Sequence, residues 1–208
     1  MLPTIRSYRP ADLDAVYDIC VRTADVGGDA RGQFSDDRLV GDVFAAPYVT
    51  LEPEHAHVID DGAGNAVGYV LGTADTERFV RRWHERWLPA ADGRYDESDP
   101  RDHGLLALLR GPERMLVPEL AGYPAHLHID LLPGFQGRGL GRALMNAFLA
   151  GLHAAGVGRV HLGVSPRNTA ARAFYDRLGF TEIVVPGERS VTYLGRDTAG
   201  LVPPVTRE

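Results

Sequence analysis

The sequence predicts one α/β domain built around a mixed central sheet flanked by helices, and three observations carry that prediction. Two strand-like runs, 55–59 and 66–73, flank Asp60-Asp61-Gly62-Ala63-Gly64-Asn65, a hairpin turn. A glycine-rich stretch at 134–141 joins a strand-like run to a helix-like one. From residue 125 to residue 194, strand and helix patterns alternate, which is the mark of a mixed sheet. No linker of domain-separating character occurs, so 1–208 reads as a single domain.

The elements follow in order. Residues 5–8 make a short strand, and Pro10 opens a helix whose apolar face is Leu13, Val16, Tyr17, Ile19 and Cys20. A second helix covers 36–44 and is stopped by Pro47. After the hairpin, a helix spans 76–88. In it, Trp83 and Trp87 pack inward, and Arg78, Arg81, Arg82 and Arg86 form a solvated face. Residues 89–101 are a polar surface loop, and 103–110 a short helix, followed by the breakers Gly111, Pro112, Pro118, Gly122 and Pro124. Then come a strand at 126–132, a helix at 139–155 with a regular apolar stripe, and a strand at 160–164. A helix at 169–178 ends on a left-handed Gly179, and strands at 180–185 and 191–194 close the chain.

Composition narrows the function. With 208 residues, 44% hydrophobic and 24% charged, the chain resembles an ordinary globular enzyme. A net charge of −6 argues against a nucleic-acid binder. Cys20 is the one cysteine, so no internal disulfide forms, which suits a reducing cytoplasm; its place on an apolar helix face makes it a core residue. No run approaches the ~20 apolar residues of a membrane span, and the N-terminus has no apolar run of signal-peptide length.

The segment from Leu132 to Gly141 contains Gln136-Gly137-Arg138-Gly139-Leu140-Gly141 at a strand-to-helix junction. Unpaired amides, the helix dipole and glycines that admit close approach make such a junction a pyrophosphate cradle, and Arg138 and Arg142 add charge at its rim. A P-loop needs Lys-Ser or Lys-Thr, which is absent; the Rossmann G-x-G-x-x-G fails in both frames, at Arg142 and at Leu144. What remains is [Gln/Arg]-x-x-Gly-x-[Gly/Ala], carried by Gln136, Gly139 and Gly141.

On these residues the sequence resembles the GNAT acetyltransferase family. Asn168, Phe174-Tyr175 and Leu178-Gly179-Phe180 fall where a second family motif stands. The chain also looks like the acetyltransferase-like C-terminal domain of animal O-GlcNAcases and its stand-alone bacterial relatives, notably in residues 6–20, 47–51, 68–75, 83–89 and 194–196. That animal domain has a degraded glycine loop; here the loop is intact, which favours real cofactor binding. The resemblance implies a sheet splayed between its fourth and fifth strands and acetyl-CoA as cofactor. Its pyrophosphate would sit on residues 137–141 with Gln136, Leu140 and Arg142. Its pantetheine would pair with the backbone of Leu131 and Leu132 and touch Asn168 and Phe174. Tyr175 would protonate the leaving thiolate. Family members often dimerise, which leaves a homodimer open.

Strand alternation puts His126, His128 and Asp130 on one face, which lines a cleft because an all-ionisable face is expensive to bury. A base there would serve the acceptor amine; Asp130 ranks first, His128 second and His126 third. The same His-x-His-x-Asp resembles the start of a metallo-β-lactamase metal motif, although Leu131 stands where its next His belongs. A non-catalytic acyl-CoA-binding domain is the other alternative. Asp75, expected at the end of a strand, either caps a helix or joins Asp130 in favouring a cationic primary amine on a small molecule or peptide. Tyr123 is a further acceptor-side candidate.

Overall fold

The computed structural model, described over residues 2–200, builds a sheet from β1 (Thr4–Ser7), β2 (His57–Asp60), β3 (Ala66–Thr73), β4 (Ala125–Leu131), β5 (Arg159–Val164), β6 (Thr181–Ile183) and β7 (Thr192–Asp197). They lie in the order β1-β2-β3-β4-β5-β7-β6, antiparallel except at the β4–β5 step. This is the mixed α/β sheet the sequence predicts. The helices are α1 (Leu13–Val21), α2 (Arg38–Phe44), α3 (Ala46–Leu51), α4 (Thr76–Arg82), α5 (Leu88–Ala91), α6 (His103–Arg110), α7 (Leu140–Ala154) and α8 (Thr169–Arg177).

β3 is buried along its whole length and divides two cores. Tyr69 and Leu71 face Ile19, Leu39 and Tyr48 of α1–α3; Val70 belongs with Leu127, Leu162 and the α7 residues Leu144 and Phe148. Successive strand side chains point to opposite faces, so one strand serves both cores.

Three local expectations are corrected. Pro47 begins a helix instead of ending one: Ala45 breaks α2 (φ −136, ψ −58), and Pro47 sits in the first turn of α3, where its missing N–H has no partner to lose. The helix expected at 76–88 is α4, a π-helical turn (Trp83–Trp87) and α5, which carries the chain past Pro89 to Ala91. Both tryptophans are buried, and their indole N–H groups donate to Leu109 O (2.9 Å) and Asp42 O (3.0 Å). The arginine run is divided: Arg78 and Arg82 pair with the fully buried Glu52 at 3.1 and 3.2 Å, while Arg81 and Arg86 are exposed.

The step that positions the site lies between β4 and β5. They pair only at Ala125–Val160 and His126–His161. Beyond that, β4 stays with β3 in an unbroken register from His126–Thr73 to Leu131–Gly68, and β5 stays with β7. The strands splay, and a gap opens inside the sheet. No bulge interrupts β4, so His126, His128 and Asp130 do share one face.

Candidate active site

The glycine loop lies at the open end of this gap. Gly137 (φ 71) and Gly139 (φ 80) are both left-handed, a conformation that strains other residues. Gly141 is needed for a different reason: a Cβ there would lie 3.2 Å from Phe174. The amides of residues 137–141 donate no hydrogen bond within the described chain, and the N-terminus of α7 follows directly. Gln136 Nε2 donates to Leu131 O (2.8 Å) and folds the loop back onto β4. Arg142 Nε is buried without a partner, as a group awaiting an anion would be, and Arg138 lies over the Phe135 ring at 5.8 Å. These residues fit a pyrophosphate.

The backbone groups of Leu131 and Leu132, expected to pair with pantetheine, differ in the bonds they already make. Leu132 N–H is bonded to Val67 O (3.1 Å), and Leu132 O accepts Phe135 N–H (2.9 Å), which leaves Leu132 one carbonyl lone pair and no free donor. Antiparallel ladders alternate bonded and non-bonded pairs. The N–H groups of Ile129 and Leu131 therefore point away from β3, into the gap.

A cavity of about 350 Å³ fills the gap, lined by His128, Asp130, Asn168 and Tyr175, with the α1–α2 loop across its mouth. Tyr69 donates to the Asp130 carboxylate at 2.9 Å. Burial nevertheless raises the Asp130 carboxyl to about 6. Burial and the Asp130 charge raise the Tyr175 hydroxyl, which keeps it protonated. Asn168 caps α8, its Oδ1 accepting Ala171 N–H at 3.0 Å. Val26 in the α1–α2 loop holds φ 55, uncommon for a β-branched residue, and it too lines the cavity.

A second cavity, about 470 Å³, adjoins the first through Leu127, His128 and residues 163–165, and is walled by Phe44, Tyr48, Arg114 and Tyr193. Its floor is a chain of hydrogen bonds whose direction can be counted. Thr76 donates its hydroxyl to Pro124 O (2.8 Å), so it accepts from His126 Nδ1 (2.8 Å). His126 Nε2 is then an acceptor for Tyr48 Oη–H (2.8 Å), and Tyr48 Oη accepts from His128 Nε2–H (3.1 Å). His128 Nδ1 is left with its lone pair. Burial, and then the charge of Arg114, lower the His128 imidazole to about 4, and His126 is lowered well below its ordinary value.

The structure thus brings Asp130, His128, Tyr175, Asn168 and the glycine loop together around one gap. His126, at 5% exposed, is held by Tyr48 and Thr76 at the floor of the second cavity. Asp75 is apart from them; its carboxylate accepts Arg78 N–H (2.9 Å) as the cap of α4. Tyr123 is also apart: its carbonyl bonds His161, and its ring stands below Arg159. Among the described residues no group of three His, Cys, Asp or Glu side chains could hold a metal. Tyr48, Tyr69, Thr76 and Arg114 are site residues that sequence reasoning missed.

Comparison with known proteins agrees with this geometry. A family model described as the acetyltransferase (GNAT) family matches residues 28–180. A solved structure, SsHAT, is 60% identical with a TM-score of 0.89, over 96% of this chain and 100% of that one. The protein O-GlcNAcase of Rattus norvegicus is 28% identical over 93% of this chain, which spans only 22% of that protein's length. A mycothiol acetyltransferase of Beutenbergia cavernae is 49% identical over 106 residues, 50% of this chain and 31% of that protein. No helix among the described residues is long and apolar enough to cross a membrane. The splayed sheet, the loop at its open end and the sequence relationships agree, and the chain belongs to the GNAT acetyltransferase family.

Proposed function

We propose that the protein transfers an acetyl group from acetyl-CoA to a primary amine by direct attack, in the cytoplasm. The observation that carries this reading is the gap between β4 and β5, which has amide donors at one end and Asp130, His128 and Tyr175 within it. Acetyl-CoA, when bound, supplies the acetyl group as a thioester. The amides of residues 137–141 and Arg142 bind phosphate, and Leu131 N–H and Ile129 orient the arm. Asp130, ionised above about pH 6, accepts the proton of the amine nitrogen. His128 Nδ1 stands at the junction of the two cavities, where it either shares that role or holds the nitrogen. Tyr175 Oη keeps a proton for the leaving sulfur. The acceptor enters through the second cavity; a small molecule or the end of a peptide fits it.

Release of coenzyme A thiol in the presence of a panel of primary amines tests the reading. Turnover with at least one amine, rising with pH through about 6 and losing that limb in Asp130→Asn, supports it. Tight acetyl-CoA binding without turnover of any amine would favour the non-catalytic binding domain.

A further inference from the structure

We propose that the second cavity selects amines that also carry a carboxylate, and that Arg114 binds that carboxylate. The proposal rests on the acetyl-transfer reading above. Arg114 lies on the 3-10 turn Pro112–Met115, and its side chain is half-buried in the cavity wall. Nη1 donates to two neutral carbonyls, Leu108 O (2.7 Å) and Gly111 O (3.2 Å), and the guanidinium lies 5.9 Å from the Trp83 ring centre. The side chain is held in place, yet among the described residues it forms no ion pair, and Nε and Nη2 donate no hydrogen bond. Arg6, Arg78 and Arg94 each pair with a carboxylate, whereas Arg196, like Arg114, donates only to carbonyls among the described residues, but it lies outside this cavity.

A half-buried cation without a counter-ion is costly, and the structure shows the strain in its field. Burial lowers the proton affinity of Arg114 itself, and its charge helps lower both His126 and His128. The other charged group on this cavity, Glu188, does not compensate. It is exposed, and its Oε1 is taken by Ser190 N–H (2.6 Å), Ser190 Oγ (2.5 Å) and Val191 N–H (3.3 Å). Among the described residues Arg114 therefore remains the one cation lining the pocket, and Glu188 is not bonded to it. A carboxylate fits the open Nε/Nη2 edge in the bidentate geometry that arginine favours. Phe44, Leu108 and Met115 give an apolar wall for a short connecting segment, with the amine directed at His128. Once bound, the carboxylate offsets the Arg114 charge, the smaller of the two causes that depress His128, while burial continues to act.

Acetyl transfer is measured for glycine, β-alanine and L-lysine against their amides, with wild type, Arg114→Gln and Arg114→Lys. In parallel, the N-acetylated acids and amides are titrated calorimetrically into the coenzyme A-loaded protein. The expected result is at least a tenfold preference for the acid in one or more pairs. It should vanish in Arg114→Gln through KM, persist in part in Arg114→Lys, and leave the KM for acetyl-CoA unchanged. Equal use of acids and amides by wild type, or a preference that survives Arg114→Gln, overturns the proposal. If no amine is turned over, the acetyl-transfer reading falls, and the titrations decide the anion site alone. Tenfold tighter binding of the acids, lost in Arg114→Gln, sustains it; no difference overturns it.

Discussion

On the cofactor side of the gap the working groups are backbone amides from one short run, residues 137–141, and the helix they introduce. On the acceptor side they are side chains from separated segments: Tyr48 from α3, Thr76 from α4, Arg114 from a 3-10 turn, and His126, His128 and Asp130 from β4. The two sides therefore differ in how they can fail. Backbone amides survive most substitutions and are lost only when the loop's conformation or its open space is lost. A side-chain network loses a member with each substitution, and its effects are coupled.

Substitutions sharpen that contrast. The largest effect is expected for Asp130→Asn: a loss of ~100-fold or more in kcat, because a positioned base contributes ~10²–10⁴. The same variant has a stability signature. Burial raises the native Asp130 carboxyl to about 6, so the native state holds this proton more tightly than the unfolded chain. Its stabilising contribution is complete below the unfolded value and is lost as pH rises through about 6. Asp130→Asn should accordingly be more stable than wild type by up to about 3 kcal/mol at pH 8, with most of that difference gone at pH 4, by chemical denaturation at the two pH values.

Next in size is Tyr175→Phe, expected to lower kcat ~10–100-fold with little change in KM, since the ring packing against Phe174 and Phe180 is retained. Gly141→Val acts on the other side. Its side chain meets Phe174, and the variant should raise the KM for acetyl-CoA while sparing kcat at saturation. Tyr48→Phe leaves His126 Nε2 without its donor and His128 Nε2–H without its acceptor, at a cost of ~1–3 kcal/mol in stability. The smallest effect is for EDTA: no change in melting temperature or rate, whereas the metal-strand alternative requires a loss.

The same contrast explains what the sequence made legible. The glycine loop lies within a short run whose spacing carries its geometry, and the resemblance to the family's second motif singled out Asn168 and the Phe174-Tyr175 pair, while the cap that Asn168 makes on α8 comes from the structure. The β4 alternation was equally readable, since no bulge disturbs it. Tyr48 was missed because a proline after an apolar run reads as a stop, whereas Pro47 starts a new turn. Arg114 was missed because Gly111 and Pro112 precede it, and a 3-10 turn has no periodicity to show which way a side chain points. Of the two readings open for Asp75, the structure shows the helix cap. That the Leu132 N–H faces β3 and not the gap is a point of ladder phase, which only the observed pairing supplies.

The central claim is that the loop and gap bind acetyl-CoA. The direct test is the melting temperature with and without acetyl-CoA, in EDTA, for wild type and Gly139→Asp. A ligand at ~100 times its Kd adds about 2.7 kcal/mol, which for a chain of this size is a rise of roughly 5–10 °C. The account predicts that rise in wild type and its loss in Gly139→Asp, where a side chain would enter a left-handed position (φ 80) and place an anion against the phosphates. No rise in wild type at millimolar acetyl-CoA would contradict it.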